Sequence, residues 1–298
     1  MSSTMTDITQ YIELQSKRVE QHLNTLVPTQ EGPNKILFDA ARYSLLGGGK
    51  RIRPILALAI TEMLQGNVHQ VLTPACALEI IHTYSLIHDD LPAMDNDDFR
   101  RGKPSLHKHF TEGIAILTGD YLLTYAIDLL VNENSLEPSV KLQLISTLVR
   151  QSGSQGMIGG QVMDLCSSEK AICLETLKNL HLQKTAALLT AAIEFGAIIS
   201  KASAHQMNLL RQFGENIGLA FQIIDDILDV TSSFAKRGSD SISDQKNLKT
   251  TYVSLLGVQK AKDKADYHFQ EAIQYLKQLP YETSLVENLA NYMINRKH

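Results

Sequence analysis

Two clusters of aspartates contain the side chains best suited to chemistry. They are Asp89, Asp90 and Asp95 in the first cluster, and Asp225, Asp226 and Asp229 in the second. Each cluster follows a strongly apolar run, YSLIH in the first case and LAFQII in the second. Carboxylates placed in this way repel one another and resist burial, so they need cations nearby. Mg²⁺ suits them, because it takes one or two protein carboxylates and completes its shell with water and phosphate oxygens.

The second cluster fits a regular helix. Asp225 and Asp229 are four residues apart, so their carboxylates share one helix face, and Gln222 lies on the same face. An acidic run is often no more than solvated surface, and that alternative stays open for either cluster alone. Two clusters that both adjoin apolar helices favour a role in ion binding.

The first cluster is less regular, because Pro92 separates Asp89 from Asp95. Proline kinks or ends a helix. We therefore expect a kink or bulge here that swings Asp95 back toward Asp89.

Three features with histidines are more ambiguous. His82 precedes Asp89 by seven residues and shares its helix face. A lone histidine on such a face is more often a core residue than a ligand, and the same holds for His88. The stretch 106–109, which reads LHKH, superficially resembles a metal site. We interpret it as a loop.

Basic residues lie close to glycine-rich breaks and to the first aspartates. Residues 47–54 read GGGKRIRP, and residues 100–103 read RRGK. Glycine lets the backbone approach a ligand closely, and Arg and Lys donate hydrogen bonds to diphosphate oxygens. Further donors are Lys184, Thr185, Lys236 and Lys249. Most isolated basic residues serve solubility, and GGGK lacks the Walker A spacing. The clustering of both charges is what indicates a metal-bound polyanion such as a diphosphate.

The elements that carry these residues show helical periodicity. One apolar stripe, with spacings of three or four residues, comprises Leu210, Phe213, Ile217, Phe221, Ile224 and Leu228. Similar stripes span residues 36–46, 75–91, 114–130, 140–149, 174–199 and 251–276. Alternation with period two is almost absent, so we predict an all-α fold. About ten helices in a single domain, residues 1–298, would line a site in their core.

Composition restricts the partners and the compartment. The 298 residues carry a net charge of −4, which argues against a nucleic acid held by overall positive charge. The three cysteines, Cys76, Cys166 and Cys173, lie in apolar or amphipathic stretches and indicate reduced, buried thiols. The N-terminus has no apolar signal region, and the uncharged apolar runs are far shorter than the ~20 residues that span a bilayer. We expect a cytoplasmic protein without stable membrane insertion.

Taken together, the motifs resemble those of the short-chain trans-prenyltransferases, and most closely the bacterial farnesyl diphosphate synthases. The resemblance runs from about Arg42 to the C-terminus. It rests on GGGKRIRP, IHTYSLIHDDLPAMDNDDFRRGKPSLH, GGQVMDL, QKTAALL, GLAFQIIDDILDV and KTTY. It implies the isoprenoid synthase helical bundle with a central active-site cavity, a homodimer, and Mg²⁺ as cofactor, with three ions per site when substrate is bound.

The resemblance also implies an activity. Isopentenyl diphosphate would condense head-to-tail with dimethylallyl diphosphate and then with geranyl diphosphate, giving farnesyl diphosphate and diphosphate. The six aspartates would hold magnesium on the allylic diphosphate. The residues implied to bind or flank that substrate are Arg100, Lys184, Thr185, Gln222 and Lys236, with Lys249 as a further diphosphate contact. Those implied to cradle isopentenyl diphosphate are Lys50, Arg53, His82 and Arg101. The segment 233–252 departs from the family pattern, since it is slightly longer and has Leu248 where glycine often precedes the lysine.

Product length follows from position along the helix before the first aspartates. Tyr84 is five residues before Asp89, or roughly 7.5 Å at ~1.5 Å per residue, so its ring, with Ser85 beside it, would form the floor of the product cavity. Ordinary core packing is the alternative for Tyr84.

Three other functions stay open. A geranylgeranyl or geranyl diphosphate synthase would share the chemistry. A terpene cyclase would commonly lack the second aspartate motif and the GGGKRIRP segment, and would line its cavity with more aromatic residues. A noncatalytic helical subunit of a synthase should have degraded aspartates, and here all six are intact.

Overall fold

Two sets of helices make up the chain. The computed structural model describes residues 2–167, 171–236 and 250–295, and the side chains of residues 8–167, 171–231 and 250–295. Residues 1–148 and 198–201 form unit 1, and residues 149–197 and 202–298 form unit 2. The described residues of both units are almost entirely helical, so the predicted all-α class is confirmed. The single domain expected for residues 1–298 stays a prediction.

Unit 1 is built around one apolar helix. Its helices are α1 (Ser2–Leu26), α2 (Lys35–Leu45), α3 (Ile52–Met63), α4 (Val68–Asp89), α5 (Leu106–His109), α6 (Glu112–Val131) and most of α7 (Pro138–Ser152). Helix α4 is apolar on nearly every side and packs against α3 and α6, as expected of a central helix. The Asn67 side chain caps its start by accepting from the His69 N–H. Since α4 ends at Asp89, this buried helix places the first aspartates at its C-terminus.

A short hairpin follows the first aspartates. Strand β1 (Phe99–Arg100) pairs antiparallel with β2 (Lys103–Pro104) across a turn at Arg101 and Gly102, both of positive φ. Two-residue strands are too short to show alternation, so the sequence pattern gave no sign of them. The loop predicted at 106–109 is wrong: these residues form α5, because the Ser105 carbonyl accepts from the N–H groups of Lys108 and His109.

Unit 2 is built around a long helix. Its elements are the end of α7, α8 (Met157–Ser167), α9 (Leu174–His181), a π-helical turn (Leu182–Ala186), most of α10 (Ala187–Ile199), α11 (Ala204–Lys236), α12 (Tyr252–Leu256), α13 (Val258–Leu276) and α14 (Ser284–Ile294). Helix α11 packs mainly against α13 and the π-turn. A Cβ on Gly218 would lie 2.6 Å from Ala186 Cα, so glycine is what permits this close approach.

Helix boundaries differ from the predicted stripes in two places. The stripe 174–199 comprises α9, the π-turn and α10, and the stripe 251–276 breaks between α12 and α13 at Gly257, whose φ is +79°. The described residues form fourteen α-helices rather than about ten, because short helices such as α5 and α12 hold too few residues to show a stripe.

Two further expectations change. Cys76 is buried, but Cys166 and Cys173 are exposed, so burial was wrongly predicted for these two; all three are free thiols. Cys166 lies at the end of α8 and Cys173 directly precedes α9, where an amphipathic pattern does not decide which side faces water.

Two helical stretches within the described residues have the length and composition of a membrane span. They are Glu112–Val131 and Leu174–Ile199. In the second, 78% of the apolar window is buried, as in a core helix of a soluble protein. The first contains Asp120 and Asp128, so its uncharged runs stay short. Such helices are weak evidence for membrane insertion.

Candidate active site

The first aspartate cluster folds back on itself at the end of α4. The helix ends at Asp89, and the next turn directs the Asp95 N–H to the Asp89 carbonyl, 2.8 Å away. Asn96 closes the turn with a positive φ of 52°. The bend predicted from Pro92 is therefore present in the backbone, and it brings the two ends of the motif together.

Within this turn the middle aspartate is already paired inside the protein. Asp90 is 3% exposed, and its Oδ1 accepts from Arg100 Nε at 2.9 Å and from Arg100 Nη2. Arg100 Nη2 also contacts Asp97 at 3.1 Å. Burial raises the pKa of Asp90, and the hydrogen bond from Arg100 opposes that shift. Asp89 is half-buried and Asp95 is exposed, so the outer two aspartates are the ones that reach solvent.

The next arginine along the hairpin points to a different cluster. Arg101 donates to the Gly48 carbonyl in the glycine-rich loop, which comprises residues 46–51 between α2 and α3. A Cβ on Gly49, whose φ is +138°, would lie 2.8 Å from Arg101 Cζ. Glycine is therefore needed at this position both for its backbone conformation and to leave space for the guanidinium. Lys50, the next residue of the loop, is exposed.

His82 and Arg53 lie in the same electropositive neighbourhood. Burial lowers the pKa of His82 well below 6.5, and Arg53 and Arg101 add to the effect. Burial also lowers the pKa of Arg53, to about 10. The Nε of Arg53 is buried and has no hydrogen-bond partner among the described residues. A cluster of cations that includes an unpartnered donor fits an anionic ligand.

Between these groups, unit 1 contains a pocket. It is lined by residues of α2, α4 and the hairpin, among them Tyr43, Thr83, Asp90, Arg100 and Arg101. The pocket is thus bordered by both consecutive arginines and by the buried member of the first aspartate cluster.

The second aspartate cluster lies on α11 in unit 2. Asp225 is half-buried, Asp226 is 5% exposed and Asp229 is exposed. Oδ2 of Asp226 accepts from the backbone N–H of Tyr252 at 2.9 Å. The His181 ring stacks on the Tyr252 ring, with centroids 5.6 Å apart, and its Nε2 lies 3.4 Å from the same carboxylate oxygen. The burial order of this cluster repeats that of the first.

Predicted substrate-flanking residues come together beside Asp226. Gln222 Nε2 lies 3.3 Å from Asp226 Oδ1, and Thr185 Oγ1 donates to Gln222 Oε1 at 2.8 Å. Lys184, next to Thr185 in the π-turn, donates to Asp164 Oδ2 at 2.6 Å. A π-turn is often found at functional sites, and here it holds two of the predicted residues.

Close packing of α8 fixes the position of the π-turn. A Cβ on Gly160 would lie 2.6 Å from Lys184 Cα, and Gly159 is similarly crowded by the Gln183 side chain at 2.7 Å. The two glycines of the GGQVMDL segment thus let α8 lie against Lys184, and Asp164 of the same segment pairs with the Lys184 ammonium.

The two residues predicted to limit product length lie on α4. Tyr84 is 5% exposed, and its hydroxyl has no hydrogen-bond partner among the described residues. Its ring contacts the His88 ring edge to face, with centroids 5.9 Å apart. Ser85 donates to the His82 carbonyl at 2.9 Å. The role of Tyr84 as a floor stays a prediction.

Some predicted residues cannot be placed, and others were missed. Lys249 and the side chain of Lys236 lie outside the described residues. Sequence reasoning missed three residues that contact the site, namely Asp164, Glu79 and Tyr252. Asp164 stood in a quoted segment and its charge was a usable signal, whereas the partners of Glu79 and Tyr252 depend on tertiary contacts.

The donor set is compatible with magnesium. Both clusters offer carboxylate oxygens, the ligands that Mg²⁺ prefers. In the described parts of the chain, no three His, Cys, Asp or Glu side chains are grouped so as to hold an ion by themselves. A magnesium ion here would complete its shell with water and substrate phosphate oxygens, as it commonly does.

Comparison with known proteins agrees with this geometry. Residues 34–293 match the family model of polyprenyl synthetase. The farnesyl diphosphate synthase of Geobacillus stearothermophilus is 42% identical over 98% of both chains. The geranylgeranyl diphosphate synthase of Cyanophora paradoxa is 41% identical over 97% of this chain and 96% of its own. The apo crystal structure of an FPP/GFPP synthase from Zymomonas mobilis is similar with a TM-score of 0.87, at 35% identity over 97% of this chain and 99% of that one. The chain belongs to the polyprenyl synthetase family.

Proposed function

We propose that the protein is a magnesium-dependent prenyltransferase that condenses isopentenyl diphosphate with dimethylallyl diphosphate and then with geranyl diphosphate, giving farnesyl diphosphate. One observation carries the proposal. The consecutive arginines Arg100 and Arg101 contact two different clusters, one acidic around Asp90 and one basic around Gly48. A reaction that joins two diphosphate substrates needs two adjacent sites of this kind, one with metal ligands and one with a surplus of cations.

The acidic cluster is assigned to the allylic diphosphate. All six aspartates belong to the proposed magnesium motifs, with Arg100 as a further cation. Asp90 and Asp226 are buried and hydrogen-bonded within the protein. We therefore propose that these two contribute negative charge and hold the neighbouring segments in place, and that the more accessible outer aspartates bind the ions directly. Bound magnesium would stabilise the negative charge that develops on the leaving diphosphate. We expect three ions per site when substrate is present.

The basic cluster is assigned to isopentenyl diphosphate. Its donors are Lys50, Arg53, Arg101 and the neutral ring of His82. The unpartnered Nε of Arg53 and the lowered pKa of His82 support this assignment, since an anion would supply the charge and acceptor that the cluster lacks. A cluster in which cations outnumber carboxylates can bind a diphosphate that stays intact, as the second substrate requires.

The reaction itself breaks the allylic C–O bond and forms one C–C bond between the two substrates. The departing diphosphate takes away the bonding electron pair, and we expect it to accept the proton lost from the new product. The Thr185 hydroxyl and the Gln222 amide oxygen offer partial negative charge to the allylic cation. We assign Lys184, Lys236 and Lys249 to binding of the allylic diphosphate. Apolar walls exclude water that would quench the cation.

Farnesyl diphosphate is the proposed product because buried Tyr84 lies one to two turns before Asp89 on α4. A geranylgeranyl or geranyl synthase is the alternative within the same chemistry, and the Cyanophora relative bears the former name.

We also propose a cytoplasmic homodimer. Exposed apolar side chains on α6, including Ile116, Leu117 and Val131, support a protein–protein contact there.

Product analysis tests the proposal. Purified protein with Mg²⁺, labelled isopentenyl diphosphate and dimethylallyl diphosphate should yield a fifteen-carbon diphosphate, and a chelator should abolish the reaction. Asp95→Asn should lower the rate strongly, whereas Asp266→Asn, which changes an exposed aspartate on α13, should not. A protein that consumes no isopentenyl diphosphate under these conditions would be the noncatalytic subunit instead. A twenty-carbon product would favour the geranylgeranyl alternative.

A further inference from the structure

Glu79 is a carboxylate that lies among arginines in unit 1. It is on α4, three residues before His82, and is 2% exposed. Arg51 Nη1 donates to Glu79 Oε1 at 2.7 Å, and Arg101 Nη2 lies 3.9 Å from the same oxygen. A carboxylate so enclosed has arginines rather than solvent as its surroundings.

Arg51 is the residue that ties the glycine-rich loop to this carboxylate. Its side chain is fully buried, and its Nη2 donates to the Leu45 carbonyl at 2.6 Å. Its backbone has a positive φ of 50°, which is unfavourable for a residue with a Cβ and persists only where the surroundings hold it. Lys50 and Arg53, on either side in the sequence, are the proposed substrate ligands. Arg51 points inward between them.

The cluster keeps a surplus of positive charge. Glu79 lies against Arg51 and Arg101 and interacts electrostatically with Arg53, while Glu20 lies 3.6 Å from Arg51 Nε, so two carboxylates meet three arginines. Burial lowers the pKa of both Arg53 and Arg101, and the charge of Glu79 opposes that shift. Without Glu79, the burial of like charges would drive these side chains apart or toward water.

We propose that Glu79 is a positioning residue for the isopentenyl diphosphate site: by pairing with Arg51 and lying against Arg101, it holds the glycine-rich loop on α4 and sets the spacing of the cations that bind this diphosphate. A carboxylate repels a diphosphate, so Glu79 acts through the arginines and does not touch the substrate. The inference rests on the proposed function. It predicts that loss of Glu79 weakens the binding of isopentenyl diphosphate but not of the allylic substrate. The reason is that Arg100, which is assigned to the allylic substrate, is bonded to Asp90 and Asp97 and not to Glu79.

The test is Glu79→Gln, which keeps the shape and removes the charge. We expect the KM for isopentenyl diphosphate to rise about tenfold or more, with the KM for geranyl diphosphate within about twofold of wild type. Calorimetric titration of isopentenyl diphosphate into the protein without allylic substrate should show the same loss of affinity. A variant whose two KM values rise together, or whose affinity for isopentenyl diphosphate is unchanged, overturns the inference.

Glu194→Gln is the matched control. Glu194 in unit 2 is 1% exposed and accepts hydrogen bonds from Arg150 and Arg211, so it is an equally buried carboxylate between two arginines. Its third hydrogen-bond partner is Gln151, and none of these three residues is a proposed substrate ligand. We expect Glu194→Gln to lower the midpoint of thermal unfolding and to leave both KM values unchanged. A selective rise in the KM for isopentenyl diphosphate in this control would contradict the special role of Glu79.

Arg51→Lys provides a second route if Glu79→Gln does not fold. A lysine keeps the charge but lacks the two-pronged donor that bonds Glu79 and the Leu45 carbonyl together. We expect a folded protein with the same selective rise in KM, and a wild-type value overturns the inference. Wild-type protein that neither binds nor consumes isopentenyl diphosphate would instead overturn the proposed function, so the two failures are distinct.

Discussion

The backbone N–H of Tyr252 donates to Oδ2 of Asp226 at 2.9 Å, so the middle aspartate of the second motif holds the start of α12 against α11. Asp90 has the corresponding place in the first motif, where it is bonded to Arg100. In both motifs the middle carboxylate is the most buried of the three and the last is exposed. In each motif the two outer aspartates are therefore the more accessible to solvent, and the middle one is buried and hydrogen-bonded within the protein.

The first prediction separates these roles within the second motif. Asp226→Asn keeps an oxygen that can accept from the Tyr252 N–H, so we expect kcat to fall by less than about tenfold. Asp225→Asn removes a proposed metal ligand, and we expect kcat to fall by about 100-fold or more, with a higher Mg²⁺ concentration at half-maximal rate. Steady-state rates measured over a magnesium titration distinguish the two.

Asp226→Ala extends the comparison. Without an acceptor, the Tyr252 amide should lose protection from hydrogen exchange, while amides of α13 keep theirs. Equal losses of magnesium dependence in Asp225→Asn and Asp226→Asn would contradict the division of roles.

A second prediction concerns the contact between α8 and the π-turn. In Gly160→Ala the new Cβ would meet Lys184 Cα at 2.6 Å, and since the obstacle is backbone, α8 and the π-turn must separate. We expect a loss of about 1–3 kcal/mol in the free energy of unfolding and a fall in kcat of about tenfold or more, because Lys184 and Thr185 move. Denaturant titration and steady-state kinetics give the two quantities.

Gly113→Ala is the control for that substitution. Gly113 lies in the first turn of α6, and a Cβ there meets nothing within 4 Å. This change should leave kcat unaltered and raise the free energy of unfolding by up to about 1 kcal/mol through helix propensity. A Gly160→Ala protein with wild-type activity and stability would show that neither depends on the close approach of α8 to the π-turn.

The third prediction concerns product length. Tyr84→Ala should yield products longer than fifteen carbons, because it removes the ring that is proposed to block the path of the product beside α4. Tyr84→Phe should keep the wild-type product and stability, since the buried hydroxyl has no partner to lose. Chromatography of the dephosphorylated products reports the outcome. A fifteen-carbon product from a folded Tyr84→Ala protein would defeat the floor hypothesis.

The fourth prediction is a pH dependence of stability. Burial, with Lys178 and Lys264 nearby, lowers the pKa of His268 to about 4, while its Nδ1 hydrogen-bonds Asn216 Oδ1 at 2.8 Å. The unfolded chain binds a proton at this histidine below about pH 6.5, and the folded chain does so only near pH 4. The free energy of unfolding therefore falls as the pH drops through that interval.

His268→Gln should remove this contribution, of about 1–3 kcal/mol over the interval, because glutamine does not titrate. Unfolding curves of both proteins at pH 7 and pH 4.5 measure the difference. Parallel losses of stability in wild type and variant would exclude His268 as the cause.

Short-range features of the sequence predicted the local geometry of the candidate site. The positions of both aspartate motifs, the bend at Pro92, and the shared face of Gln222 and the second motif follow from helix periodicity and proline stereochemistry. These interactions span at most a few residues, so the spacing along the chain determines them.

The missed features depend on contacts between distant residues. Glu79 and Arg51 are 28 residues apart, and Asp226 and Tyr252 are 26 apart. A charge in an apolar run indicates that some partner exists but does not identify it. The π-turn was also missed, because one extra residue shifts the phase of an apolar stripe without interrupting it, so 174–199 reads as a single helix.

The π-turn limits how this gene can change. A π-turn differs from regular α-helix by one residue, so deletion of a single codon between Leu182 and Ala186 could restore an unbroken helix. Because the π-turn takes up the extra residue within one wide turn, the helices on either side keep their phase, and the deletion would leave Leu177 and Leu180 buried. What it would change is the turn itself, where Lys184 now pairs with Asp164 and Thr185 with Gln222. A deletion that makes the helix regular would therefore spare the packing of its neighbours and disrupt the contacts of these two side chains.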